Sequence, residues 1–100
     1  MSYKLLYYHE AKQDIIEAKV WYRKQQAGLD MRFAAAIKDA ILRLKNNPAA
    51  FAIRYKSIRI IHPAVFPYAI HFYIDEALKT VVIIAIIHNK RNRDLPDSRI

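Results

Sequence analysis

The chain has 100 residues, 54% of them hydrophobic, and 17 Lys and Arg against 9 Asp and Glu, for a net charge of +8 and an isoelectric point near 9.9. That is enough apolar material for one core and too little for two, so residues 1–100 are expected to form a single domain. A single glycine and four prolines exclude collagen-like repeats, long flexible linkers and low-complexity tracts, and the lack of cysteine excludes disulfides, thiol catalysis and thiolate metal sites.

The positive charge draws polyanions or an acidic protein. Residues 1–50 carry nine Lys and Arg against five Asp and Glu, and residues 51–100 carry eight against four, so each half is +4 and the charge belongs to the folded body, not to a tail. The first ten residues lack a signal peptide's apolar centre, and the longest apolar run, residues 81–87, is far too short to span a bilayer. The cytoplasm is the expected location, with no membrane partner.

In chain order, residues 3–8 are aromatic and aliphatic with one Lys, which suits a short strand. Ala11, Ile15, Ala18 and Tyr22 then repeat at helical spacing, with Asp14, Glu17, Lys19, Arg23 and Lys24 filling the polar remainder. Trp21 is expected at the flank of this helix and Tyr22 in the core. Gly28 ends the helix, because a left-handed residue there needs no side chain. A second helix starts near Asp30, with Phe33, Ile37, Ile41 and Leu44 inward and Arg32, Lys38, Asp39, Arg43 and Lys45 largely outward, and Asn46-Asn47-Pro48 stops it.

From residue 51 the period changes to that of strands. One is expected over Ile58–Ile61, a second over residues 68–74 and a third over Thr80–His88, with residues 75–79 as the turn between the last two. Tyr68, Ile70, Phe72 and Ile74 share one face of the second, and Ala69, His71 and Tyr73 the other. Residues 81–87 are apolar at every position, as in a central strand covered on both sides. The order β-α-α-β-β-β predicts an α+β two-layer sandwich, a helical hairpin packed on a mostly antiparallel four-stranded sheet.

This order, with Ala11 and Asp14-Ile15 opening the first helix, Trp21-Tyr22 near its end, Gly28-Leu29 and Phe33 starting the second, Asn47-Pro48 and Phe51 closing the helical half, and Arg59, Phe66-Pro67-Tyr68, His88 and Arg91-Asn92 following, resembles the RelE/ParE superfamily of small toxins from bacterial toxin–antitoxin modules, the plasmid-stabilisation proteins. The resemblance covers nearly the entire chain. It implies the same fold, a cognate antitoxin, expected to be a small acidic protein, and one of two targets. Members resembling RelE cut messenger RNA on the ribosome, whereas members resembling ParE bind DNA gyrase and poison it. An inactive homologue that keeps only antitoxin binding is a third alternative.

Metal-independent RNA cleavage uses the 2′-hydroxyl as nucleophile and needs groups that move protons and groups that hold the phosphate. His88, Arg91, Arg59 and Tyr68 are the candidate catalytic residues, and Lys56, Arg59, Lys90 and Arg93 the candidate RNA- or antitoxin-binding cations. His88, Arg59 and Arg91 are expected to converge on one concave patch. Each has a structural alternative: His88 as a strand-end cap, Tyr68 as packing, Arg59 as surface charge, Arg91 as part of a solvated tail. Two departures stand against cleavage, since RelE-type nucleases commonly carry an Arg where this chain has Ala69, and several lysines on the preceding strands where it offers only Lys56. His71 is assigned mainly to structure. His9 and His62 stand at element boundaries with no apparent partner, and the four histidines lack the His-Glu-x-x-His spacing of a zinc site, so no metal and no cofactor is expected.

Overall fold

The computed structural model of the chain describes residues 3–90 and Arg99. β1 (Lys4–Tyr7) leads into α1 (His9–Gln25) and α2 (Leu29–Asn46). A short 3-10 turn (Pro48–Ala50), β2 (Ile53–Tyr55), β3 (Ile58–Ile61), β4 (Tyr68–Asp75) and β5 (Thr80–His88) follow. The sheet has the order β1-β5-β4-β3-β2, parallel between β1 and β5 and antiparallel elsewhere. It contains five strands where the sequence pattern indicates four. The addition is β2, whose three residues are too few to display an alternation.

Both helices form for the reasons their spacing suggests. Ala11, Ala18 and Tyr22 of α1 and Phe33, Ile37, Ile41 and Leu44 of α2 are buried against one sheet face, together with Ile61, Phe66, Tyr68, Ile70, Phe72, Val81, Ile83 and Ile86. Trp21 stays 55% exposed at the flank, its ring edge-on to Tyr22. Gly28 adopts φ 87° immediately before α2, the left-handed conformation that lets the hairpin reverse. No helix among the described residues is long and apolar enough to cross a membrane.

β5 is buried from Val81 to Ile87 because β1 and β4 flank it and a second cluster covers its other face. A bulge changes its side-chain phase. His71 pairs with Ala85 while the next residue, Phe72, pairs with Ile83, leaving Ile84 as the extra residue. Val81, Ile83 and Ile86 therefore face the helices, whereas Val82, Ile84, Ala85 and Ile87 face away, among Ile58, Tyr8, Tyr55 and Tyr73.

Asp14 corrects the reading of α1. The helical pattern puts it among the polar residues, but it is 7% exposed and pinned. Pairing of β1 with β5 ends at Tyr7 and Ile83, so the remaining half of β5 has no strand on that side among the described residues. Asp14 takes its place: Oδ2 accepts the Ile86 N–H at 3.0 Å, and both carboxylate oxygens accept from the Arg99 guanidinium at 2.7 and 3.1 Å. Arg99 also donates to the Ile84 carbonyl at 3.0 Å, and its hydrogen bond to Asp14 raises its pKa further above the ordinary arginine value. One buried ion pair thus satisfies the β5 backbone that β1 leaves open.

Candidate functional site

The sheet face away from the helices carries a polar cleft of about 460 Å³, lined by Arg54 and Tyr55 of β2, Ile60 of β3 and His62 beyond it, Ala69 and His71 of β4, and Ile87, His88 and Asn89 at the end of β5. Alternation along each strand explains the composition. Ile60 pairs with His71 and Ala69 with Ile87, so these residues stand on the same face. Ala69 sits at the floor, where its single methyl leaves open the volume a long side chain would fill.

Two imidazoles in this cleft are held by well-defined hydrogen bonds. His62 Nδ1 lies 2.9 Å from the Tyr68 carbonyl oxygen. A carbonyl only accepts, so the proton is on Nδ1 and the free nitrogen is Nε2. His71 Nδ1 lies 2.9 Å from the Tyr55 hydroxyl, with the rings 5.8 Å apart. Burial, helped by repulsion from His62 and Arg99 and opposed by Asp14, lowers the pKa of His71 to about 4. His71 is therefore neutral near pH 7, and its tautomer sets which partner donates in the bond to Tyr55.

His88 stands at the rim. It pairs with Tyr68, and its ring lies edge-on to the Tyr68 ring at 5.3 Å, while its Nδ1 accepts the Lys90 N–H at 3.1 Å. The Tyr68 ring belongs to the aromatic cluster beneath the helices, 4.9 Å from Phe33 and 6.1 Å from Tyr22. Burial raises the Tyr22 pKa, and a hydrogen bond to Tyr68 partly offsets that rise.

Arg59 lies elsewhere. Its Nη1 donates to the Phe51 carbonyl at 2.7 Å and the Ala49 carbonyl at 3.3 Å, closing the end of the 3-10 turn. It pairs with Phe72, four residues along β4 from the Tyr68 that pairs with His88. Four residues of strand and two strand spacings separate the two positions by roughly 16 Å. Tyr68 and His88 are therefore together, and the expected convergence of Arg59 with His88 is absent. Lys56 occupies the turn between β2 and β3 with φ 49°, and Lys90 follows β5. Arg91 and Arg93 lie outside the described residues.

Sequence reasoning missed His62 and Arg54. The signal for His62 was its parity: it continues the alternation of Ile58 and Ile60 and so emerges on the open face. Arg54 depends on β2, which the pattern does not announce.

A second concavity, about 530 Å³ and mainly apolar, lies at the opposite edge. Leu5 and Tyr7 of β1, Ile15 and Ile16 of α1, and Ile37, Ile41 and Leu42 of α2 line it, and Lys12, Lys19 and Lys38 stand among them. Leu6, Ile16, Val20 and Leu42, on the same elements, are each about half exposed or more, at 56, 53, 49 and 49%.

A helical hairpin over a mostly antiparallel sheet is the fold that the chain shares with solved proteins of toxin–antitoxin modules. The model of the ParE toxin of the type II toxin-antitoxin system, parDE, matches residues 5–93, and the chain belongs to that family. Similar solved structures include the chromosomal ParDE system of P. aeruginosa, at 16% identity and TM-score 0.73 over 87% of this chain and 96% of that one. They also include the RelBE2 toxin–antitoxin complex of Mycobacterium tuberculosis, at 17% identity and TM-score 0.65 over 88% and 92% of the two chains. The intact E. coli RelBE complex matches at 15% identity and TM-score 0.61 over 90% of this chain and 100% of that one. No curated protein matches the chain.

Proposed function

We propose that this toxin arrests growth by cleaving messenger RNA on the ribosome, with the open-face cleft as its effector site, and that a cognate antitoxin holds it inactive. The observation that carries the reading is the joint placement of His62, His71, His88, Tyr55 and Arg54 around one cleft, because RNA cleavage through the 2′-hydroxyl requires proton-moving groups beside a phosphate-binding cation. Arg54 supplies from β2 the charge that Ala69 does not supply from β4. His88 remains a member of the set at the rim, and Arg91, Arg93, Lys56 and Lys90 are proposed to hold the RNA backbone around it.

The antitoxin segment is proposed to dock on the lysine-bordered apolar groove between β1 and the helices. An amphipathic helix places apolar side chains in such a groove and its acidic residues against Lys12, Lys19 and Lys38.

The purified toxin added to translating ribosomes is expected to yield cut mRNA, and the toxin–antitoxin complex none. Intact mRNA in the presence of the free toxin refutes the reading. A second reading is a non-enzymatic gyrase poison, and two observations favour it: the matching family model is that of ParE, and the Arg59 guanidinium is turned onto backbone carbonyls. Unbroken mRNA together with loss of gyrase supercoiling activity selects it.

A further inference from the structure

We infer that His62, acting through its Nε2, is the general base that removes the 2′-hydroxyl proton in the cleft. The inference rests on the RNA-cleaving reading above and names a residue for its central step.

The hydrogen bond to Tyr68 decides the chemistry of the ring. Nδ1 sits 2.9 Å from a carbonyl oxygen, which has no proton to give, so Nδ1 carries the hydrogen and the lone pair of neutral His62 is on Nε2. The same bond fixes the ring's orientation and stabilises the imidazolium that forms when Nε2 takes a proton, as a base oriented by a third group requires. His62 is exposed and lines the cleft, so that proton comes from a bound ligand or from water.

The other imidazoles are less suited. His71 is 8% exposed, and its Nδ1 is occupied by the Tyr55 hydroxyl. His88 has Nδ1 occupied by the Lys90 N–H, so its neutral form carries hydrogen on Nε2 and donates from there. The charged and titratable groups facing His62 around the cleft are Arg54 and Tyr55 on β2, His71 on β4 and His88 on β5. No carboxylate is among these described residues, so none of them is a competing acidic base. Among the described lining residues, Arg54 is the cation available to the phosphate.

In the step, neutral His62 Nε2 takes the proton of the 2′-hydroxyl as the 2′-oxygen forms a bond to phosphorus. The bond from phosphorus to the 5′-oxygen breaks, and that oxygen takes a proton from solvent water. His62 then returns its proton to solvent, so none is consumed. The products are a 2′,3′-cyclic phosphate and a 5′-hydroxyl end.

The test is His62→Asn, whose amide N–H takes over the donation to Tyr68 but whose side chain accepts no proton. On ribosome-bound mRNA the variant should bind as wild type within about threefold and cleave on the order of 10²–10⁴ times more slowly, without the acid limb that an imidazole base imposes on the pH–rate profile. Nitrogen-15 NMR of the free protein should show His62 protonated on Nδ1. Cleavage by His62→Asn near the wild-type rate with an unchanged pH profile overturns the assignment while leaving RNA cleavage standing, as does an Nε2–H tautomer at His62. A wild-type protein that leaves mRNA intact overturns both.

Discussion

Replacing His71 by asparagine should flatten the acid dependence of stability, because this imidazole is the buried group whose protonation the fold opposes. In the unfolded chain it takes a proton below its ordinary pKa of 6.5, whereas in the native protein burial delays this to about 4. Between those values the unfolded state binds more protons than the native state, so stability falls as pH drops through the window and levels off below it. With these two pKa values the loss is about 2 kcal/mol at pH 5 and about 3 kcal/mol at pH 4 relative to neutral pH. At 8% exposure, little of this is screened by solvent. Urea denaturation of wild type and His71→Asn at pH 7, 6 and 5 measures the effect, since the asparagine amide can donate to or accept from the Tyr55 hydroxyl but carries no titration. The two proteins should converge by about 2 kcal/mol between pH 7 and pH 5. Parallel curves would show that His71 titrates alike in both states and refute the argument.

Removing the carboxylate in Asp14→Ala leaves the Arg99 guanidinium and the Ile86 N–H without their partner, so thermal or urea unfolding should show a loss of about 3–5 kcal/mol. Val65 has φ 74°, with Phe66 N–H bonded to the Ala64 carbonyl at 2.8 Å across it, a strained three-residue turn for a β-branched residue that is 88% exposed. Val65→Gly relieves that strain with little packing to lose and should raise stability by about 1 kcal/mol, read as a higher urea midpoint. Phe33→Ala empties the centre of the aromatic cluster of Tyr22, Phe66 and Tyr68 and should lower stability by about 3–5 kcal/mol.

Local periodicity made the fold legible. The spacing of Phe33, Ile37, Ile41 and Leu44 identifies a helix face, the run at 81–87 a doubly covered strand, and both predictions hold because one element dictates each pattern. What escaped depends on two elements at once. Asp14 looks polar and outward until β1 ends short of β5 and leaves an N–H for it to accept. The three residues of β2 become a strand only beside β3. The site was legible in residue type and only partly in place. His88 and Tyr68 are neighbours because an antiparallel pair of strands matches their positions. Arg59 alternates onto the helix side, where the carbonyls of Ala49 and Phe51 accept from its guanidinium. His62 has no partner in sequence because its partner is a backbone carbonyl across a loop.

The two concavities lie at opposite edges and on opposite faces of one sheet, so the proposed antitoxin groove and the proposed effector cleft are separate places. Tyr7 of β1 borders the groove and His62, beyond β3, borders the cleft, with β5 and β4 between the two strands. Three strand spacings alone are roughly 14 Å, beyond the reach of direct contact, and the sheet core lies between. On the proposed docking, a helix seated among Lys12, Lys19 and Lys38 leaves the cleft uncovered, and full neutralisation would then need a further antitoxin segment that continues round the sheet. Reversing the three lysines to glutamate should weaken antitoxin binding at least tenfold and make it less sensitive to salt, while growth arrest by the free toxin is unchanged. Arg54→Ala should do the opposite, sparing antitoxin affinity and lowering growth arrest. Calorimetric titration with the antitoxin and growth curves on induction measure the two effects, and a loss of both functions from either set of changes would refute the separation.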